Sequence, residues 1–215
     1  MNFIFGAAGF AREVEWMARD IYSDSKDDYR PDYFVCDDKN TLAGEKIKGI
    51  SVINESEFFK KHSTTNNNCF IAIGSPTIKN AIYEKIVAQA APQNFPNLIH
   101  PSVCYDRDFV AMGHGNIICA NSILTTDIKV GNFVHLNLAC TVGHDSIIGD
   151  YTTTSPGVLI SGNVKIDKLV FIGSGAVIFP NLSISTEIMI GASALVTKDL
   201  LEKGTYVGCP VKKVK

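Results

Sequence analysis

The sequence has no apolar run that approaches the ~20 residues needed to cross a bilayer. Its first residues, Met1–Gly6, carry no positively charged side chain and lead directly into a glycine, unlike a secretory signal. The net charge of −2 provides no dominant basic surface for nucleic acid. We therefore expect a cytoplasmic protein that binds neither a membrane nor nucleic acid.

The six cysteines are scattered along the chain and include no CxxC pair. This spacing argues against a zinc knuckle and is typical of small buried hydrophobic residues in a reducing compartment. The 215 residues are 46% hydrophobic and 20% charged, which is the composition of a globular protein with one large or two small domains.

The first part of the chain alternates short apolar runs with helical spacing. The runs are Asn2–Phe5, Tyr33–Cys36 and Cys69–Ile73. Apolar residues between and after them recur at every third or fourth position: Phe10, Val14, Met17 and Ile21, then Ile78, Ile82 and Ile86. Strand, helix, strand and helix in this order predict a small parallel, Rossmann-like α/β domain over residues 1–98.

The second part repeats every six residues without a slip between residues 112 and 201. Counting from Met112, fourteen of fifteen first positions are aliphatic, and only Thr154 interrupts the series. The fourth position is Gly, Asn or Asp in nine of the fifteen hexads, which suits a turn with positive φ. A fixed six-residue period predicts a parallel β-helix over residues 99–215, with three hexads to each triangular coil and five coils in all. A β-sandwich would show irregular turn spacing instead.

Several motifs connect these two parts to one family. They are Phe5-Gly6-Ala7-Ala8-Gly9, Cys36-Asp37-Asp38, Ile71-Ala72-Ile73-Gly74, Val142-Gly143-His144-Asp145, Ser161-Gly162-Asn163-Val164 and Gly208-Cys209-Pro210. With them the chain resembles the NeuD/PglD-like sugar acetyltransferases, which are hexapeptide-repeat acyltransferases. The resemblance implies a left-handed β-helix preceded by a small α/β domain that binds a nucleotide sugar.

The resemblance also implies a catalytic group in the β-helix. His144 would be the general base, and Asp145 would hold the imidazole and raise its basicity. Gly162 lies one coil of eighteen residues further on, where its backbone N–H could stabilise an oxyanion. Simpler interpretations remain open, because Asp145 could serve only as a turn residue, like Asp127 one coil earlier, and Gly162 could be an ordinary corner glycine.

Two groups of binding residues follow from the same resemblance. The nucleotide sugar would contact Ala8, Gly9, Phe10, Asp37, Asp38 and Gly74. Acetyl-CoA would lie between the subunits of a homotrimer and contact Thr153, Ser174 and Ala192. Some relatives carry histidine where this chain has Phe10 and Thr153, although Thr153 stacks one coil above His135. The basic tail, Lys212, Lys213 and Lys215, could either meet CoA phosphates or be a frayed, solvated end.

The predicted function is acetyl-CoA-dependent N-acetylation of a 4-amino-4,6-dideoxy sugar carried on UDP, dTDP or GDP, for bacterial glycan biosynthesis. Transfer would be direct in a ternary complex and would need no metal. The alternatives are O-acetylation of sialic acid or another sugar, a non-catalytic β-helix, and a zinc enzyme that uses three histidines. The six-residue period does not bring His114, His135 and His144 together in one subunit.

Overall fold

The computed structural model describes residues 1–25 and 28–215, and the chain divides into two compact units. The first unit comprises Met1–Gly74 and Ile78–Leu98, and the second comprises Ser75–Thr77 and Ile99–Lys215. Within the described ranges, no helix has the length and hydropathy required of a membrane span.

The first unit is an α/β unit with one five-stranded sheet in the order β3-β4-β2-β1-β5. All neighbouring strands are parallel except β3 and β4. The elements are β1 (Asn2–Phe5), α1 (Gly9–Ser25), β2 (Tyr33–Cys36), β3 (Lys46–Ile47), β4 (Ile50–Asn54), α2 (Glu55–Lys61), β5 (Asn68–Ile71) and α3 (Pro76–Gln89). The three predicted strands and both predicted helices are present.

The short elements between β2 and β5 were not predicted. Helix α2 has only seven residues and begins where the Asn54 side chain accepts a hydrogen bond from the Glu57 amide at 2.8 Å. Phe58 is its fully buried side chain, and its ring packs edge-on against Phe3 and Phe5. This helix is therefore stabilised by its cap and by one aromatic anchor.

The second unit is a parallel β-helix with three faces. The first face contains β6 (Leu98–Ile99), β9 (Ile117–Ile118), β12 (His135–Leu136), β15 (Thr153–Thr154), β18 (Phe171–Ile172), β21 (Ile188–Ile190), β23 (Gly204–Val207) and β24 (Lys212–Lys213). The second face contains β7 (Cys104–Tyr105), β10 (Ile123–Leu124), β13 (Thr141–Val142), β16 (Leu159–Ile160), β19 (Val177–Ile178) and β22 (Leu195–Val196). The third face contains β8 (Val110–Met112), β11 (Ile128–Val130), β14 (Ile147–Ile148), β17 (Lys165–Ile166) and β20 (Ser183–Ile184).

The predicted eighteen-residue stacking is confirmed through the body of the helix. On the second face Ile123 pairs with Thr141, Thr141 with Leu159, and Leu159 with Val177. The fourth residue of each hexad has positive φ in all fourteen hexads from that of Gly115 to that of Ser193. Phe133, with φ of 53°, shows that the corner imposes this conformation even on a bulky side chain that disfavours it.

The first residue of each hexad points into the core. Leu124, Val142, Ile160 and Ile178 are at most 2% exposed along the second face. Thr154, the exception in the series, is also fully buried, and its hydroxyl lies 3.1 Å from the Cys140 sulfur. A partner inside the core removes the penalty that an unpaired buried hydroxyl would carry.

Both ends of the β-helix depart from the predicted period. The first coil precedes Met112, and its strand at Cys104 pairs with Ile123, nineteen residues later. At the other end Leu200 bridges to Ile184, only sixteen residues earlier. The prediction that the register holds through residue 201 is therefore wrong for the last hexad, where the coil is shortened by two residues.

The C-terminal segment closes the β-helix as a hairpin. Strand β24 pairs antiparallel with β23, with Tyr206 opposite Lys213 and Val207 opposite Lys212. Val211, in the turn between these strands, is buried against the core. The basic tail is consequently an ordered strand, and the interpretation of it as a frayed end is wrong.

Candidate active site

The second corner, between the second and third faces, carries the histidine and aspartate that the motif singled out. The His144 Nδ1 atom lies 2.7 Å from the Asp145 Oδ2 atom. Their side chains are 64% and 60% exposed. Asp145 has φ of 60°, and its carboxylate contacts the imidazole of the preceding residue. The pair is therefore accessible and already hydrogen-bonded.

Gly162 lies directly beside the ring of His144. A Cβ atom built on Gly162 would be 2.6 Å from the His144 Nε2 atom. With bond lengths of about 1.5 Å, the Gly162 amide nitrogen must lie within about 6 Å of Nε2. A base and an amide donor at this separation can both reach one tetrahedral centre, because each needs a contact of only about 3 Å.

The backbone around this corner is tightly packed. A Cβ atom on Gly143 would lie 2.5 Å from the Gly162 amide nitrogen, so the two coils touch at this point. The Asn163 amide donates to the His144 carbonyl at 2.6 Å, and the Asp145 amide donates to the Thr126 carbonyl at 3.2 Å. The main chain of the pair is thus fixed from the coil above and from the coil below.

The residues predicted to contact acetyl-CoA occupy two different places. Ser174 and Ala192 are exposed and stack eighteen residues apart at the first corner, between the first and second faces. Thr153 instead lies within the first face and is only 5% exposed. Ser174 and Ala192 are therefore accessible to a ligand in the protomer. The Thr153 side chain is too buried there for a ligand to contact it directly.

In the first unit, the predicted sugar-binding residues follow the strands that meet at the carboxyl edge of the sheet. Strand β1 lies between β2 and β5, so the strand order proceeds from β1 to one side of the sheet and then returns to add β5 on the other side. Parallel α/β sheets open a crevice at such a switch point, here between β1 and β5. Ala8 and Gly9 are exposed beyond β1, Phe10 is half-buried, and Gly74 is half-buried beyond β5. The two backbones approach closely just beyond these strands, because a Cβ atom on Gly6 would lie 2.8 Å from the Ala72 carbonyl oxygen.

The two acidic residues after β2 have different surroundings. The Asp38 carboxylate accepts hydrogen bonds from the Ser56 amide at 2.9 Å and the Ser56 hydroxyl at 2.8 Å. These bonds lower the pKa of Asp38. Asp37 is exposed, and within residues 1–25 and 28–215 its carboxylate accepts a local bond alone, from the Lys39 amide at 3.0 Å. Asp38 is thus engaged in holding the start of α2, and Asp37 is the member of the pair available to a ligand.

Arg12 was missed by the sequence analysis. It is exposed in the first turn of α1, three residues after Gly9, and its amide donates to the Ala8 carbonyl at 3.3 Å. An exposed arginine in the first turn of a helix that follows a glycine turn is a candidate phosphate ligand. The signal was a basic residue immediately after the Gly6-x-x-Gly9 motif.

Other reactive groups do not form a centre in the described residues. No cluster of three or more His, Cys, Asp and Glu side chains there could hold a metal ion. His114 packs edge-on against Phe133 at the third corner, between the third and first faces, whereas His144 lies at the second corner. Among the cysteines, burial raises the pKa of Cys69 to about 12 and also raises that of Cys140, so neither thiol is activated.

The chain is similar to known proteins both in sequence and in fold. Residues 3–86 match the family model of the PglD N-terminal domain. GDP-perosamine N-acetyltransferase of Escherichia coli O157:H7 is 34% identical over 177 residues, which cover 81% of this chain and 76% of the relative. The structure of WeeI from Acinetobacter baumannii AYE matches with a TM-score of 0.85 at 29% identity, covering 100% of this chain and 99% of that one.

A further solved structure concerns the fold alone. A mutant of perosamine N-acetyltransferase from Caulobacter crescentus, in complex with CoA and GDP-perosamine, gives a TM-score of 0.88 at 22% identity. It covers 99% of this chain and 96% of that chain. The predicted fold class, an α/β unit followed by a left-handed β-helix, is confirmed.

The N-acetyltransferase relative, which is 34% identical over 81% of this chain, identifies the protein as an acetyltransferase that uses acetyl-CoA. The chain belongs to the NeuD/PglD-like family of sugar acetyltransferases. The predicted family and enzyme class are thereby confirmed.

Proposed function

We propose that this protein transfers the acetyl group of acetyl-CoA to the 4-amino group of a nucleotide-linked 4-amino-4,6-dideoxy sugar, for bacterial glycan biosynthesis. The observation that carries the proposal is the exposed His144–Asp145 pair, bonded at 2.7 Å with Gly162 beside it. The Escherichia coli relative is named for N-acetylation of GDP-perosamine, which favours an amine acceptor and makes GDP the first nucleotide to test.

The pair assigns a role to each ring nitrogen of His144. A carboxylate can only accept a hydrogen bond, so in this role the Asp145 contact would hold the proton of the neutral imidazole on Nδ1 and leave the lone pair on Nε2. Nε2 then takes a proton from the amine as the amine nitrogen attacks the thioester carbonyl carbon. The Gly162 N–H would stabilise the oxygen that becomes negatively charged. The C–S bond then breaks, and the CoA sulfur leaves with the proton that His144 returns.

The nucleotide sugar is proposed to occupy the carboxyl edge of the sheet in the first unit. The exposed backbone of Ala8 and Gly9 would receive the diphosphate, and Asp37 would contact the nucleoside. Phe10 and Gly74 would line the same crevice, and Arg12 adds a positive charge there. Asp38 would act through the loop that it fixes rather than through a direct contact.

We further propose a homotrimer that completes the acetyl-CoA site. Ser174 and Ala192 lie at the first corner and His144 at the second, on opposite edges of the second face. The outward side chains of that face are mostly apolar, and Leu159 among them is 44% exposed. If three copies turn this face towards a common axis, the first corner of each protomer meets the second corner of the next. CoA lying in that groove would contact both sets of residues.

The cytoplasm is the proposed site of the reaction. All six cysteines are free thiols, which suits a reducing compartment.

The test of the activity compares His144→Ala with His114→Ala, which removes another exposed corner histidine. Purified protein is given acetyl-CoA with GDP-, dTDP- and UDP-linked 4-amino sugars or with sialic acid, and thiol release is followed. We expect turnover with one amino sugar, a loss of about 100-fold or more in His144→Ala, and little change in His114→Ala. Release with sialic acid alone would indicate O-acetylation, and equal activity of the two variants would exclude His144 as the base.

The test of the trimer uses two matched surface changes. Sedimentation should give three times the 23.4 kDa chain mass for the wild type. Leu159→Asp on the second face should give monomers without activity. Ile147→Asp on the third face, where the side chain is 40% exposed, should remain trimeric. The same mass for both variants would contradict the proposed interface.

A further inference from the structure

The position of Gly162 in the β-helix does not by itself demand glycine. The same corner position one coil below holds His144, two coils below holds Thr126, and one coil above holds Pro180. Side chains are therefore accommodated at this position throughout the helix. The φ angle of Gly162 lies outside the left-handed region, in contrast to Gly157 with φ of 70°. Backbone conformation thus gives no reason for a glycine here.

What a side chain at residue 162 would meet is the imidazole of His144. The three atoms nearest to a Cβ atom built on Gly162 all belong to that ring: Nε2 at 2.6 Å, Cε1 at 2.7 Å and Cδ2 at 3.0 Å. The contacts differ at Gly143 and Gly173, where a Cβ atom would strike the main chain of the next coil at 2.5 Å, whereas a Cβ atom on Gly115, like one on Gly162, would meet an aromatic ring, that of Phe133. The side chain that lies nearest over Gly162 is therefore that of His144.

We propose that Gly162 is a positioning residue whose missing side chain provides the space that orients the His144 ring. The imidazole is bounded on one side by Gly162 and on the other by the Asp145 carboxylate, 2.7 Å from Nδ1. Because both His144 and Asp145 are largely exposed, their hydrogen bond alone would hold the ring weakly. The catalytic consequence rests on the proposed function, since a correctly oriented ring directs Nε2 at the attacking amine.

Gly162→Ala separates this role from that of the backbone amide, because alanine keeps the N–H group. The added methyl must displace the ring, which can rotate into solvent, so we expect an unchanged melting temperature. We expect kcat to fall about 100-fold, the loss that a displacement of about 1 Å can cause, with KM for acetyl-CoA changed less than about threefold. The imidazole NMR signals of His144, identified by their absence in His144→Ala, should shift as the Asp145 contact is lost.

The double variant His144→Ala/Gly162→Ala is the control. Without the ring the three nearest contacts of the methyl group are removed, so the residual activity of the double variant should equal that of His144→Ala. Wild-type imidazole signals in Gly162→Ala, or shifted signals with an unchanged kcat, would overturn the proposal. If the wild-type protein transferred no acetyl group while the signals still shifted, the proposed function would fail and the steric role of Gly162 would stand.

Discussion

The contribution of Asp145 can be measured against a neighbour that shares its geometry. Asp127 occupies the same corner position one coil below, with φ of 57° against 60° for Asp145. Both carboxylates are exposed, but that of Asp127 accepts from the Thr126 hydroxyl at 3.2 Å, whereas that of Asp145 lies 2.7 Å from His144 Nδ1. Replacing each with asparagine changes the charge equally at two matched sites, and only one of them adjoins a histidine.

We expect Asp145→Asn to lower kcat/KM by about 10–100-fold, equivalent to about 1.4–2.7 kcal/mol of transition-state stabilisation. Removal of the aspartate from a buried catalytic triad costs about 10⁴-fold, and the smaller figure here follows because this pair is solvent-exposed and screened. Asp127→Asn should stay within about twofold of the wild type. The assay is initial-rate thiol release with the amino sugar nucleotide varied. Equal losses in the two variants would refute the reasoning and reduce Asp145 to a turn residue.

Three further predictions concern the rest of the chain. Arg12→Ala should raise KM for the nucleotide sugar about tenfold with kcat nearly unchanged, as measured by initial rates, and an unchanged KM would remove Arg12 from the phosphate site. Glu15 is 3% exposed and bonded to Arg19 at 2.5 Å and Lys48 at 2.6 Å, so Glu15→Gln should lower the free energy of unfolding by about 1–2 kcal/mol in urea titration. A smaller decrease in the free energy of unfolding would show that water solvates Arg19 and Lys48 once the Glu15 carboxylate is removed. A thiol reagent should modify Cys209 rapidly in the native protein and leave four buried thiols unmodified, and early loss of any of the four would contradict their burial: Cys36, Cys69, Cys119 and Cys140.

The β-helix could be predicted because its six-residue period follows from the geometry of each coil. Each hexad must supply one aliphatic residue to the core and one residue with positive φ at the corner, so the pattern fixes both the inward side chains and the turns. Thr154 interrupts the series of aliphatic residues but keeps the inward position, since its hydroxyl contacts the Cys140 sulfur inside the core. The first coil lies within the predicted β-helix but outside the hexads counted from Met112, because its extra residue removes it from the period.

The candidate site could be predicted only in part. Neighbours along one corner follow from eighteen-residue spacing, and this places His144 and Gly162 together. The six-residue period shows which side chains point outward but not whether they are exposed to solvent. Thr153 occupies an outward position and is nevertheless buried. Similarly, the acidic pair after β2 gives no sign that Ser56 engages Asp38 and leaves Asp37 open.

The shortened last coil and its hairpin have a consequence for solubility. A parallel β-helix that simply stopped would leave open strand edges and an apolar cross-section, which invite end-to-end polymerisation. Here β24 covers part of that edge with Lys212 and Lys213, and Val211 closes the cross-section beside Tyr206. Charged residues on an edge strand oppose the approach of a second copy. The hairpin of β23 and β24 thus caps the last coil and opposes the stacking of a second copy on this end of the β-helix.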